Sequence, residues 1–120
     1  MVAAVEKAES EGSELDFKAL FDPASSGHWC EVVKDIVAIA NSGGGVIVFG
    51  VNDDGTPASG DLRPVLAVDP ATIVDKIKKY TGQHFAGCSM TPGIHQAQPV
   101  AVLSIPSGSN AAHLHCTGNL

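Results

Sequence analysis

Apolar and polar positions alternate with two distinct periods along the chain, and each period marks its own set of elements. In SELDFK, Leu15 and Phe17 alternate with Glu14, Asp16 and Lys18, the period-two pattern of a strand with one apolar and one charged face. The loop DPASSG at 22–27 follows, and Ser25 or Ser26 can N-cap a helix running to about Asn41. Within that helix Val32, Val33, Ile36, Val37, Ile39 and Ala40 form a wide apolar stripe, with Glu31, Lys34 and Asp35 off it. VIVFGV reads as a buried strand, and NDDG at 52–55 as a turn in which Gly55 supplies positive φ. Residues 56–68 read as loop with a short extended piece. A second helix is well signalled over DPATIVDKIKKYTG: Asp69 as N-cap, Pro70 at the first helical position, Ile73, Val74, Ile77 and Tyr80 on one face, and Gly82 as stop. CSMTPGIHQ and PVAVLSIP are expected to form a hairpin joined near QAQP, and AAHLHCTG to begin one more strand. Val2, Val5 and Glu9 lie at helical spacings, which gives residues 1–10 a short helix.

Gly43, Gly44 and Gly45 raise the question of a phosphate-binding loop. Such a loop needs a strand, then glycines, then a helix whose N-terminal amides face the anion. Here the order is reversed, because the glycines follow a helix and precede a strand. The simplest reading is a left-handed helix C-cap and a tight entry into a buried strand. Bare backbone at this point would also allow close approach of a ligand.

The chain has 120 residues, enough for a single core, with 44% apolar and 17% charged residues. We therefore expect one globular α/β or α+β domain over residues 1–120. No apolar run reaches the roughly 18–20 residues of a membrane span, and the acidic start is unlike a signal peptide, so a cytoplasmic protein with no membrane partner is expected. Cys30, Cys88 and Cys116 are widely spaced and odd in number, which points to free thiols. The formal net charge of −6 runs against the basic excess usual in proteins that bind nucleic acid.

Candidate chemistry is mainly acidic. Glu11, Glu14 and Asp16 surround the first strand, and Asn52, Asp53 and Asp54 end the second; if the two strands are neighbours, the carboxylates converge as hard oxygen ligands suited to Mg²⁺ or Mn²⁺. DFK also fits the carboxylate-x-Lys pattern of many metal nucleases, although a solvated strand face and an Asp-rich turn explain the same residues. His113, His115 and Cys116 suggest zinc without the four partners a structural site needs. A nucleophile built from Cys30 and His28 lacks a nameable orienting group. The candidate phosphate contacts are Lys18, Lys34, Arg63, Lys76 and Lys79, of which Lys76 and Lys79 share a helical face and Lys78 does not.

Taken together, SELDFK, the helix ending VAIANSGGG, the strand VIVFGVNDDG and the later VAVLSIPSGSNAAH resemble the Schlafen-type Alba-like domain, also described as a divergent AAA domain. The resemblance implies a mixed β-sheet flanked by two main helices, and a DNA-binding role in bacterial or archaeal proteins that look like transcriptional regulators. In the Schlafen branch it implies a metal-dependent endoribonuclease, whose acidic residues fall by position on Glu11, Asp16 and Asp53, with Asn52 as neighbour and Lys18 as the motif lysine. Asp16 stands where that family usually carries Glu, and Asn52 where it carries Asp, which favours binding over cleavage. The chain ends before the family's Tyr-Ile-Arg-x-Gly strand, so we expect an N-terminal portion of a longer protein. Three functions follow as expectations: a nucleic-acid-binding domain that needs no cofactor, a Mg²⁺- or Mn²⁺-dependent nuclease acting on RNA, and a protein-interaction or homo-oligomerisation module using an open sheet edge.

Overall fold

The computed structural model describes residues 14–58 and 60–108. The expected helix over 1–10, Glu11, and the His113, His115 and Cys116 group with its strand lie outside the described residues. The elements in order are β1 (Glu14–Lys18), α1 (Ser26–Asn41), β2 (Gly45–Phe49), a single-turn α2 (Arg63–Leu66), α3 (Pro70–Thr81), β3 (Ser89–His95) and β4 (Gln98–Ile105). The strands form one mixed sheet in the order β1-β2-β4-β3. β1 and β2 run parallel, with Glu14 opposite Gly45 and Lys18 opposite Phe49, while β4 pairs antiparallel with both β2 and β3.

Local chemistry explains the helix boundaries. Ser25 caps α1, its hydroxyl accepting the His28 N–H, and Trp29 Nε1 donates to Pro23 O at 2.8 Å, which pins the loop before the helix. α1 ends in a Schellman turn: Gly44 N–H reaches Ile39 O at 2.8 Å, Gly43 N–H reaches Ala40 O at 3.3 Å, and both glycines have positive φ. Asp69 caps α3 through Ala71 N–H, Pro70 starts it and Gly82 closes it in the left-handed region. These boundaries agree with the sequence reading. The segment 56–68 has the expected short extended piece and, beyond that expectation, one helical turn. Val51 bridges to Pro57, and α2 forms around Pro64 because Asp61 accepts the Arg63 N–H and Val65 drops into the core. The apolar strand also stops earlier than VIVFGV suggests, since Gly50 at φ +98° turns the chain after Phe49.

The pleat sends alternate residues to two apolar clusters. Ile47, Phe49, Ala101, Leu103 and Ile105 meet Trp29, Val32, Val33, Ile36, Ile73 and Ile77 on the helical face. Val48, Val51, Val100 and Val102 gather on the other face with Leu15, Phe17 and Val46. Leu15 and Phe17 thus face away from the helices, and Asp16 and Lys18 face toward them. Phe21 joins the layers, edge-on to Trp29 at 5.0 Å and stacked on Phe49 at 5.1 Å.

The start of β2 is the tightest point of the sheet. A Cβ on Gly45 would collide with the backbone oxygen of Glu14, and one on Gly44 would lie 2.9 Å from Ile105 O. No atom lies within 4 Å of the corresponding position at Gly43. We predict that Gly45→Ala costs about 2–3 kcal/mol through forced separation of β1 from β2. Gly43→Ala should cost only the 1–2 kcal/mol or so of a strained left-handed residue. Urea midpoints at unchanged slope measure both.

Candidate nucleic-acid interface

Two polar surfaces flank α1, and helical geometry keeps them apart. Asp35 and Glu31 lie on the side of α1 that faces β1, whereas Cys30 lies about half a turn away, toward α3. The first surface is acidic and centred on Lys18. Its Nζ stands 2.5 Å from Asp35 Oδ2 and 3.9 Å from Asp16. Asp35 Oδ2 is shut off from solvent, and the Lys18 ammonium is the cation set against it. Burial pulls the Lys18 pKa down, but Asp35 and then Asp16 and Glu31 outweigh it and hold the lysine above its ordinary value. Burial raises the Asp16 carboxyl, the Asp35 charge raises it further, and Lys18 offsets these only in part.

This ion pair stands between two clefts. One, of about 240 Å³, is lined by Glu14, Asp16 and Asp35; the other, of about 300 Å³, by Lys18, Leu20, His28, Glu31 and Asp53. Asp16 and Asp53, expected as co-ligands, therefore line different clefts. Asp53 sits at the exposed tip of a turn whose other polar side chains hold the turn itself. Asn52 Nδ2 donates to Thr56 Oγ1 at 3.1 Å, and Asp54 Oδ1 accepts from Thr56 Oγ1 at 2.6 Å. The Thr56 hydrogen bonds hold the Asp54 carboxyl below its ordinary pKa. His95 fixes the same turn from the hairpin, with Nε2 3.0 Å from Gly55 O and its ring against Phe17.

Among the described residues no three His, Cys, Asp or Glu side chains gather as a ligand set. Asp16 and Asp35 share the Lys18 ammonium, and Asp53, though it lines the neighbouring cleft, is near enough for its charge to help raise the Asp16 carboxyl; Glu11, the third expected ligand, lies outside the described residues. Near the start of α1, His28 Nδ1 accepts the Asp22 N–H at 2.8 Å, and the Cys30 thiol is hydrogen-bonded to Tyr80. Burial pushes the Cys88 thiol up to about 11, so it stays protonated at neutral pH.

The second surface is basic. Lys76 Nζ lies 5.6 Å from the centre of the Trp29 ring, and Lys79 Nζ 5.4 Å from that of Tyr80. Tyr80 reaches back to Cys30 on α1, and that hydrogen bond holds its hydroxyl above the ordinary value. Lys34 is exposed on α1, and Lys78 is exposed beside Lys79. Among the described residues the ion pairs engage Lys18 and Arg63 and none of these four lysines. Of the five cations named from the sequence, Lys34, Lys76 and Lys79 thus belong to α1 and α3. Lys18 is tied into the acidic edge, and Arg63 is clasped by Asp61 at 2.9 Å. The residue that sequence reading missed is Asp35. It lies one residue off the stripe, at the border where a helix can pass a side chain to a neighbouring strand, and a lysine at a strand end is the partner that could have pointed to it.

A parallel β-α-β unit extended by an antiparallel hairpin, with its helices on one face, defines an α+β domain class. The family model described as Schlafen, AlbA_2 matches residues 11–114, and the chain belongs to that family. Among solved structures it is similar to the DIP2311 protein from Corynebacterium diphtheriae, with a TM-score of 0.62 and 14% identity. That match covers 95% of this chain and 23% of the other, and at this identity it is a likeness of fold. No curated protein matches the chain.

Two predictions test the acidic edge. Lys18→Met should destabilise the fold by about 1–3 kcal/mol, because Asp35 is left enclosed without its counter-charge, and adding Asp35→Leu should recover most of that loss. Asp16→Asn tests the raised carboxyl. A raised folded pKa means that the charged form is disfavoured in the native state, so the contribution of Asp16 to stability declines as pH climbs above 3.8. The Asn variant escapes that decline. Its stability relative to wild type should rise from pH 3.5 to pH 7, as read by urea denaturation at both; an advantage that shrinks with pH would contradict the assignment.

Proposed function

We propose that this chain is a nucleic-acid-binding domain whose contact surface is the α1–α3 lysine face, Lys34, Lys76 and Lys79, and that it binds without a metal. The observation that carries this reading is the difference in pairing among the cations. Lys18 is committed to Asp35 and Asp16 and Arg63 to Asp61, while the lysines of α1 and α3 remain outside the ion pairs among the described residues. Phosphate contacts need unpaired ammonium groups on one surface, and α3 supplies them within its last two turns. Membership in the Schlafen, AlbA_2 family supports a nucleic-acid role. DNA or RNA is the ligand in this reading, within a regulator-like protein of the cytoplasm.

Fluorescence anisotropy with labelled DNA and RNA, at graded salt and in either EDTA or Mg²⁺, tests the proposal. Binding should persist in EDTA and weaken with salt. Lys76→Ala/Lys79→Ala should reduce the slope of log K against log salt by about 0.7–0.9 per lost contact, and Asp16→Asn should leave affinity unchanged. Binding that requires Mg²⁺, or strand cleavage abolished by Asp16→Asn, would replace this reading with the nuclease one.

A further inference from the structure

We propose that the strand held by the lysine face is single-stranded, with the Tyr80 ring as a stacking platform for an unpaired base. The inference rests on the nucleic-acid reading and adds the class of ligand. Trp29, the other ring beside these lysines, is only 2% exposed, so it can accept a cation at its rim but no base. Tyr80 is half-buried on the last turn of α3, packed in part against the core and hydrogen-bonded to Cys30 by its hydroxyl, and the ammonium of the exposed Lys79 lies over its ring at 5.4 Å. An exposed ammonium over a ring is held more weakly than a stacked base. A base can therefore take the place of Lys79 on the ring and leave that ammonium free for a phosphate of the same strand.

The extent of the basic surface argues the same way. Lys76 and Lys79 share one face of α3 with the exposed Asp75 beside them, and Lys34 lies on the adjoining helix, in a chain of net charge −6. That patch can follow one backbone over a few phosphates. A duplex presents two phosphate rows across a groove about 12 Å wide, and its base faces are hidden in the stack.

The experiment compares a labelled oligothymidylate with a labelled hairpin duplex carrying the same number of phosphates, in EDTA, by anisotropy. Wild type should prefer the single strand by about fivefold or more. Tyr80→Phe, which keeps the ring and loses the Cys30 bond, should retain the preference, and Tyr80→Ala should abolish it. Ring-current shifts of the Tyr80 proton resonances on adding oligothymidylate to wild type provide a readout independent of how the alanine variant folds. Equal or tighter binding of the duplex, or Tyr80 resonances that do not move on saturation, would overturn the stacking inference and leave the lysine face intact. Failure of both probes to bind would overturn the nucleic-acid reading itself, and this inference with it.

Discussion

The sheet depends on a steric constraint at the start of β2, where backbone approaches backbone too closely for any side chain. Gly45 lies against the Glu14 carbonyl and Gly44 against the end of β4, so the parallel and antiparallel halves of the sheet close on the same two residues. The Schellman turn delivers them there. It reverses the chain straight out of α1 with hydrogen bonds to Ile39 and Ala40, which leaves no slack between the helix and the strand it feeds. The register of β1 against β2 follows, and with it the placement of Lys18 beside α1.

That placement decides what the acidic edge can do. Lys18 is drawn toward the helical face because Leu15 and Phe17 claim the other one, and there it meets Asp35 before it can meet solvent. Lysine, Asp35 and Asp16 then hold one another in a partly desolvated cluster in which Asp16 carries the unfavourable share. A cluster closed on itself in this way stabilises the β1–α1 junction. It offers an incoming phosphate little, since the ammonium is committed and the surrounding charge is negative.

Much of this was legible in the residues. Asp69, Pro70 and Gly82 bracket α3 because each supplies what a helix end lacks, and the alternation in SELDFK predicts the strand and its division into an apolar and a charged face, though both faces are half-buried and the charged one turns to the helices. The order around the three glycines predicts the left-handed helix C-cap and tight entry into β2 that the structure has. The β3–β4 turn was harder to read, because Gln96 and Ala97 both adopt positive φ without the Asn-Gly chemistry that usually marks such a hairpin. α2 is a single turn, below the length at which periodicity says anything. The Lys18–Asp35 pair joins residues on different elements, and spacing along a chain cannot show a contact that only packing creates.

The net charge, which in the sequence counts against a polyanionic ligand, has a different weight once the charges have positions. An α-helix with its side chains is about 10 Å across, which is about one screening length at 0.1 M salt. Across that distance the carboxylates on the β1 flank reach α3 in attenuated form, and a phosphate at α3 responds more to the charges beside it, the ammonium groups and Asp75, than to the sum over the molecule. Several of the acids are further offset locally, Asp35 by Lys18 and Asp61 by Arg63. What the excess of acid removes is attraction at long range. Binding as proposed for this surface would then depend on contact, through a few ammonium groups and one ring, rather than on a broad positive field that would hold any polyanion in any register.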